Sequence, residues 1–193
     1  ADEITKLVSI LTARNTDQLQ QIITRFGSTP TAPIAMLTLA AQLYSAGQYE
    51  QAQAQYTQFG AKYPEHPMRT SAELGVAHCI EAGGRLEEAL DAFDRFIKAN
   101  PGNFLLPLAQ LGAARCLTQL GRYDEARTRY EDFIAANPKN GWAPVAETAL
   151  LFVDKEKRAL QAGQTKAPTP VMVTSEVLPA PAPTPAPPAE KAP

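Results

Sequence analysis

The sequence contains few of the residues from which catalytic and metal centres are built. It has two histidines and two cysteines among its 193 residues. The motifs CxxC, HExxH, GxxxxGK and GxSxG do not occur, although metal sites, phosphate loops and activated nucleophiles commonly use such spacings. His78 and Cys79 are adjacent, but successive side chains on a helix point about 100° apart and do not face each other. We therefore predict no catalytic activity, no cofactor, no metal site and no small-molecule substrate.

The sequence also lacks a strong charge of one sign and a long apolar run. Its formal net charge is −2, which gives no basic field for a nucleic-acid backbone or an acidic membrane surface. No stretch approaches the ~18 consecutive apolar residues expected of a membrane-spanning helix. The first residue is Ala1, so we expect either that a signal peptide or anchor has been removed or that the chain was trimmed.

A repeat of 37 residues organises the centre of the chain. Gly84–Pro101 and Gly121–Pro138 are identical at nine of eighteen positions without a gap, and Gly47–Pro64 is a weaker third copy. Landmark residues recur every 37 positions: Gly47, Gly84 and Gly121; Ala52, Ala89 and Ala126; Tyr56, Phe93 and Tyr130; Phe59, Phe96 and Phe133; Pro64, Pro101 and Pro138. Self-similarity with a period of this length indicates stacked structural repeats.

Each repeat predicts two helices. After Pro107, apolar and small residues recur at helical spacing up to Gly121, a residue typical of a left-handed C-terminal cap. A second helix is predicted from Tyr123 to the Asn137–Pro138 pair, because proline disfavours helical geometry in the preceding residue. Gly112 is expected to let another backbone approach closely.

The two cysteines occupy equivalent positions of successive repeats. Cys79 and Cys116 are 37 residues apart, which places them about one helix spacing, roughly 8–10 Å, from each other. A disulfide requires Cα atoms within about 7 Å. We predict two thiols packed in the core, with a disulfide as the alternative.

The order of the landmarks resembles that of the tetratricopeptide repeat (TPR) family. The matching residues are Ala40, Leu43, Gly47, Ala52, Tyr56 and Pro64; Ala77, Ile80, Gly84, Ala89, Phe93 and Pro101; and Ala114, Leu117, Gly121, Ala126, Tyr130 and Pro138. The resemblance covers residues 33–140 and implies an all-α fold, a right-handed α-solenoid of stacked helix–turn–helix hairpins. Each loop between repeats is three residues longer than the family's usual period of 34 requires. In this the chain resembles bacterial envelope members, such as the coordinator of the Tol–Pal system and the TPR lipoprotein of the β-barrel assembly machine.

Three regions are predicted. Residues 1–30 form an N-terminal helical cap or degenerate repeat with two short helices, residues 31–163 form three repeats and a capping helix, and residues 164–193 form a Pro/Ala-rich extended tail. The tail region contains nine of the seventeen prolines and favours polyproline II geometry. In the capping helix, Val145, Ala149, Phe152 and Val153 are predicted to face inward.

In the TPR family the first helix of each repeat lines a concave groove that binds partner proteins. The resemblance implies that this groove is lined here by Ile34, Leu37, Tyr44, Leu74, His78, Leu108, Leu111 and Arg115. The family's chaperone adaptors hold a terminal carboxylate with lysine at the fifth repeat position, where this chain has leucine in all three repeats. The resemblance therefore implies an apolar or mildly acidic partner segment instead, and the alternative is that these leucines are covered by loops or by the tail.

The tail contains one apolar, β-branched stretch, Val171–Leu178. We predict that this stretch docks in extended form on a partner surface or in the chain's own groove. The residues expected to make that contact are Val171, Met172, Val173, Val177 and Leu178. The alternative is a solvated linker.

Together these features predict a non-enzymatic protein–protein interaction scaffold that binds a partner peptide or subunit through its groove or its tail. The resemblance implies a periplasmic or other extracytoplasmic location in the bacterial envelope, with the cytoplasm as the alternative. No nucleic acid is expected as a partner. The alternative function is a permanent structural subunit of a larger, membrane-associated complex, anchored through the tail or the convex face.

Overall fold

The computed structural model describes residues 16–138 and 141–163, and these form eight α-helices without a strand. In chain order the helices are α1 (Thr16–Phe26), α2 (Ala32–Ser45), α3 (Tyr49–Lys62), α4 (Arg69–Ala82), α5 (Leu86–Ala99), α6 (Leu106–Gln119), α7 (Tyr123–Ala136) and α8 (Ala143–Gln161). The first helices of the repeats, α2, α4 and α6, start 37 residues apart, and so do the second helices, α3, α5 and α7. The predicted all-α fold and its repeat register are confirmed.

The turn inside each repeat is built in the same way. Gly47, Gly84 and Gly121 have φ angles of 75°, 80° and 74°, a region that costs a residue with a Cβ roughly 1–2 kcal/mol. The residue after each glycine donates a backbone hydrogen bond to the carbonyl five residues earlier: Gln48 to Leu43, Arg85 to Ile80, and Arg122 to Leu117. This Schellman geometry ends the first helix and directs the chain into the second.

Each helix packs on its neighbours in the chain, and α4 also contacts α6, so first helices of successive repeats adjoin. The landmark alanines Ala52, Ala89 and Ala126 are completely buried. Their small side chains suit the close contact of two helices.

Gly112 accommodates an aromatic ring and not, as predicted, another backbone. A Cβ built on Gly112 would lie 2.5 Å from the ring of Phe93, and one built on Gly75 would lie 2.9 Å from the ring of Tyr56. At these two junctions an aromatic residue of the second helix fills the space that a glycine leaves on the next first helix, whereas the equivalent position of α8 is Ala149. This contact connects one repeat to the following one.

The cysteines are packed thiols, as predicted. Cys79 and Cys116 are both fully buried and unpaired. Burial raises the pKa of the Cys79 thiol to about 12, although Arg85 acts in the opposite direction. Burial also raises the pKa of Cys116.

The prediction for the capping helix α8 is wrong for two residues. Val153 is buried and Ala149 packs against the core, but Val145 is 50% and Phe152 37% exposed. The side facing α7 instead carries Ala146, which is fully buried. Apolar residues occur all round this helix, so its periodicity alone does not identify the buried side.

Several predicted features fall on residues that the structure leaves out. They are the first of the two N-terminal helices, within residues 3–14, and the tail residues Val171, Met172, Val173, Val177 and Leu178. The second N-terminal helix corresponds to α1, whose Leu19 is fully buried. Within the described ranges, no helix has the combination of length and apolarity that a membrane crossing requires.

Candidate functional site

The predicted groove residues lie at two depths. Leu74 and Leu111 are only 4% exposed and belong to the core formed by α4–α8. The prediction that they line an open surface is wrong, because the neighbouring helices cover them. Leu37 and Leu108 are half-buried, and Ile34 is exposed. The accessible part of this face therefore consists of its polar residues and of the positions near the helix starts.

The polar residues of this face form one cluster, which we call the Glu81 cluster: Tyr44, His78, Glu81 and Arg115. Arg115 donates two hydrogen bonds to the Glu81 carboxylate, from Nε to Oε1 at 2.8 Å and from Nη2 to Oε2 at 2.7 Å. His78 Nδ1 lies 3.4 Å from Glu81 Oε2, and its ring packs edge-on against Phe93. These contacts join α4 and α6, and Tyr44 of α2 lies close enough for the charge of Glu81 to act on it.

The electrostatics of the cluster follow from a shielded ion pair. Burial by itself raises the pKa of Glu81, but the hydrogen bond with His78 and the charge and hydrogen bonds of Arg115 outweigh it and lower the pKa to about 2. Burial, and then the negative charge of Glu81, raises the pKa of Tyr44 to about 12. Glu81 is therefore ionised and Tyr44 neutral at physiological pH.

Arg115 retains donor capacity towards the outside. Its side chain is 32% exposed, and its Nη1 has no hydrogen-bond partner among the described residues. A guanidinium held in place by a carboxylate can donate from its remaining N–H groups to a backbone carbonyl or a carboxylate. The cluster is thus suited to fixing the position of a polypeptide.

Exposed or half-buried apolar side chains lie along the edge where the first helices begin. Ile34, Leu108 and Val145 occupy one repeat position on α2, α6 and α8, and Met68 and Phe104 stand in the loops just before α4 and α6. Phe104 is 79% exposed and Val145 is 50% exposed. We call these five residues the apolar edge. Because the repeats stack in register, equivalent positions follow one another along the same side of the solenoid.

The loops that carry Met68 and Phe104 are held by side chains at one repeat position. Asn103 Oδ1 accepts a hydrogen bond from the backbone N–H of Leu105 at 2.9 Å. His66 Nδ1 accepts the equivalent bond from Met68 at 3.1 Å. Turns of this kind, closed by a side chain two residues earlier, fix a loop without regular secondary structure. The exposed Phe104 therefore projects from an ordered loop.

The sequence pattern did not identify Met68 and Phe104 as exposed apolar residues, and it placed Val145 on the buried side of α8. The signal that could have identified them is that the lengthened loops between repeats carry apolar residues, which a loop in contact with solvent does not need. Of the predicted set, the structure brings together Tyr44, His78 and Arg115 around Glu81. The predicted tail contact lies outside the described residues.

The described residues contain no group of three or more histidine, cysteine, aspartate or glutamate side chains that could hold a metal ion. What the face offers is therefore a hydrogen-bonding cluster in the second halves of the first helices and an apolar edge at their starts. Such a combination recognises a polypeptide by burial of its side chains and by hydrogen bonds to its backbone.

Comparisons with known proteins agree with the repeat register. The family model described as a tetratricopeptide repeat-like domain matches residues 4–150. A comparison with curated proteins gives no match.

Solved structures show the same fold. A Podosopora anserina "putative kinesin light chain" with nearly identical TPR-like repeats is 19% identical, with a TM-score of 0.61 over 77% of this chain and 80% of that one. A single-substitution variant of that protein is 18% identical, with a TM-score of 0.62 and the same coverage. A tetratricopeptide repeat protein from Parabacteroides merdae ATCC 43184 is 15% identical, with a TM-score of 0.57 over 81% of this chain and 58% of that one. With the family match over most of its length, this chain belongs to the tetratricopeptide repeat-like family.

Proposed function

We propose that this protein is a non-enzymatic scaffold that binds an extended, apolar segment of a partner protein along the apolar edge. The TPR-like fold supports a protein–protein interaction role in general. The observation that carries the specific proposal is Phe104, an aromatic side chain that is 79% exposed on a loop fixed by Asn103. Exposed aromatic residues on ordered backbone are typical centres of binding energy.

The arrangement of the edge favours an extended partner. First helices that adjoin are about 8–10 Å apart, so equivalent apolar positions form a line across the repeats and not a single pocket. An extended chain can place side chains along such a line while its backbone carbonyls remain available to donors. Arg115 lies seven residues beyond Leu108 on α6, about 10 Å further along the helix, so the affinity is expected to come mainly from the apolar edge itself.

The proposal is tested with a random peptide library selected against the purified chain, followed by affinity measurements on the selected peptides. We expect apolar, extended sequences whose Kd rises at least tenfold for Phe104→Ser, which corresponds to about 1.4 kcal/mol. Leu160→Ser is the matched control, since Leu160 is 56% exposed on α8 but lies outside the apolar edge. Peptides that bind both variants equally, or a selection without apolar sequences, would contradict the proposal.

We further propose that the scaffold works in the bacterial cell envelope, in contact with a membrane-associated complex. The inter-repeat loops, three residues longer than the usual TPR period requires, support this location through their resemblance to envelope members of the family. Fractionation of the source cells with an antibody against the chain tests it. We expect the protein in the envelope or periplasmic fraction, and recovery in the cytosol would overturn the proposal.

A further inference from the structure

The last described helix stands where a fourth repeat would begin. α8 starts 37 residues after α6 but is 19 residues long, whereas the other first helices have 14. Arg158 occupies the position equivalent to the turn glycine Gly121. Within the described residues no second helix follows, so the side of α8 opposite α7 is uncovered.

This uncovered side carries large apolar residues. Leu151 is 70% and Phe152 is 37% exposed. Together with Thr148 and Lys155, one turn before and after, they form what we call the α8 outer face. The position of Leu151 corresponds to Ala40, Ala77 and Ala114, which are at most 1% exposed where each repeat's own second helix packs.

The size of Leu151 limits what can cover this face. Alanine at the equivalent positions allows a second helix to lie close, and a leucine there would require the helices to move apart. An extended chain has a smaller cross-section than a helix and can pass beside such a side chain. The face therefore suits an extended segment better than another helix.

The sequence supplies such a segment immediately after the helix. Val171–Leu178 follows Gly163 by eight residues, which span up to about 26 Å when extended at about 3.3 Å each. Leu151 lies twelve residues before Gly163, a distance of about 18 Å along a helix. The segment can therefore turn back and reach the whole outer face.

The composition of the segment complements the face. In an extended chain Val171, Val173 and Val177 point to the same side and form an apolar row. Glu176, the only charged residue of the segment, points to the opposite side. The apolar row, interrupted only by Ser175, matches the apolar Leu151 and Phe152, and Glu176 on the opposite side of the strand remains in water.

We propose that Val171–Leu178 folds back in extended form onto the α8 outer face and covers Leu151 and Phe152 in place of a second helix. The segment ends the solenoid by covering its last apolar surface. The proline-rich remainder, Pro179–Pro193, then starts from a fixed point beside α8.

The test is limited proteolysis of the full chain with a glutamate-specific protease. The tail has two target residues, Glu176 inside the segment and Glu190 in the proline-rich remainder. The isolated peptide of residues 164–193 gives the intrinsic ratio of the two cleavage rates. We expect the full chain to lower the rate at Glu176 relative to Glu190 by about tenfold, because a docked site must open before it is cut.

Two substitutions on α8 locate the contact. Leu151→Ser should return the ratio to that of the peptide, and Leu160→Ser, on the other side of the same helix, should leave it unchanged. Both residues are exposed, so circular dichroism should show the same helix content in both variants. An unaltered ratio in the full chain, or protection that Leu151→Ser does not remove, would overturn the proposal. Protection that grows with protein concentration would also overturn it, since that result indicates coverage by a second copy.

Discussion

At the scale of single residues, the junction between repeats depends on one glycine–aromatic contact. Phe93 of α5 occupies the space above Gly112 of α6, and Tyr56 of α3 occupies the space above Gly75 of α4. The sequence predicted a close approach at Gly112, but it did not identify the approaching group. The aromatic residue lies 19 positions earlier in the chain, beyond the range of a helical pattern.

Substitution of Gly112 tests this contact. Alanine improves helix propensity by about 1 kcal/mol, but its Cβ would lie 2.5 Å from the ring of Phe93, which is fully buried. We expect Gly112→Ala to destabilise the chain by about 1–3 kcal/mol through overpacking, measured by thermal or denaturant unfolding. Gly60→Ala is the control, since nothing lies within 4 Å of a Cβ at that position of α3, and it should stabilise. If both substitutions stabilise, the Phe93 contact is not as tight as described.

The Glu81 cluster predicts a pH dependence of stability. The folded pKa of Glu81 is about 2, below the value of about 4.3 expected for an unfolded chain. A carboxylate with a lowered pKa contributes stability that is complete above the unfolded value and is lost as the pH falls towards the folded value. We therefore expect the free energy of unfolding to fall between about pH 4.3 and pH 2, and to fall less in Glu81→Gln. Glu147 is an exposed residue of α8 outside the cluster, so the control Glu147→Gln should lose stability with falling pH as steeply as the wild type. The same pH dependence of the unfolding free energy in all three proteins would contradict the role assigned to Glu81.

At the scale of helices, the pattern of the sequence predicted boundaries better than orientations. The turn glycines and the Asn–Pro pairs specify backbone conformations locally, so the ends of α6 and α7 are found where the pattern places them. Which side of a helix is buried depends on its neighbours. Leu74 and Leu111 are buried, and Phe152 is exposed, because adjacent helices are present in the first case and absent among the described residues in the second.

The turn glycines provide a test at this scale. Gly84 has a φ of 80° and nothing within 4 Å of a Cβ, so an alanine there is opposed by backbone strain and not by packing. We expect Gly84→Ala to lower the free energy of unfolding by about 1–2 kcal/mol. Gly83→Ala is the neighbouring control, because Gly83 has a φ of −76° that alanine adopts readily. Equal losses at the two positions in denaturant titrations would argue against the Schellman turn.

At the scale of the whole molecule, the core is uneven along the solenoid. Among residues 16–138 and 141–163, one cluster of nineteen buried residues extends from α4 to α8, whereas the part before it has two smaller clusters, of six and three buried residues. Stability in a stacked array is the sum of local repeat and interface terms. The N-terminal helices are therefore expected to open more easily than the C-terminal repeats.

Native-state hydrogen exchange measures this difference. We expect amides of α2 and α3 to exchange faster than those of α6 and α7, because fewer buried contacts oppose their local opening. Amide protection is read helix by helix under native conditions. Uniform protection of the four helices would show that the array unfolds as one cooperative unit.

The constant spacing of the repeats has a consequence for how such a chain changes in evolution and in protein engineering. The start of each first helix, its glycine turn and the start of each second helix recur at intervals of 37 residues. A duplication of one 37-residue block therefore joins two ends that already fit, and a deletion of one block closes in the same way. Duplicating the block from residue 86 to residue 122 would repeat the Phe93–Gly112 junction unchanged. Each such change keeps the spacing of the helix starts and glycine turns, and the length of the apolar edge changes with the number of repeats.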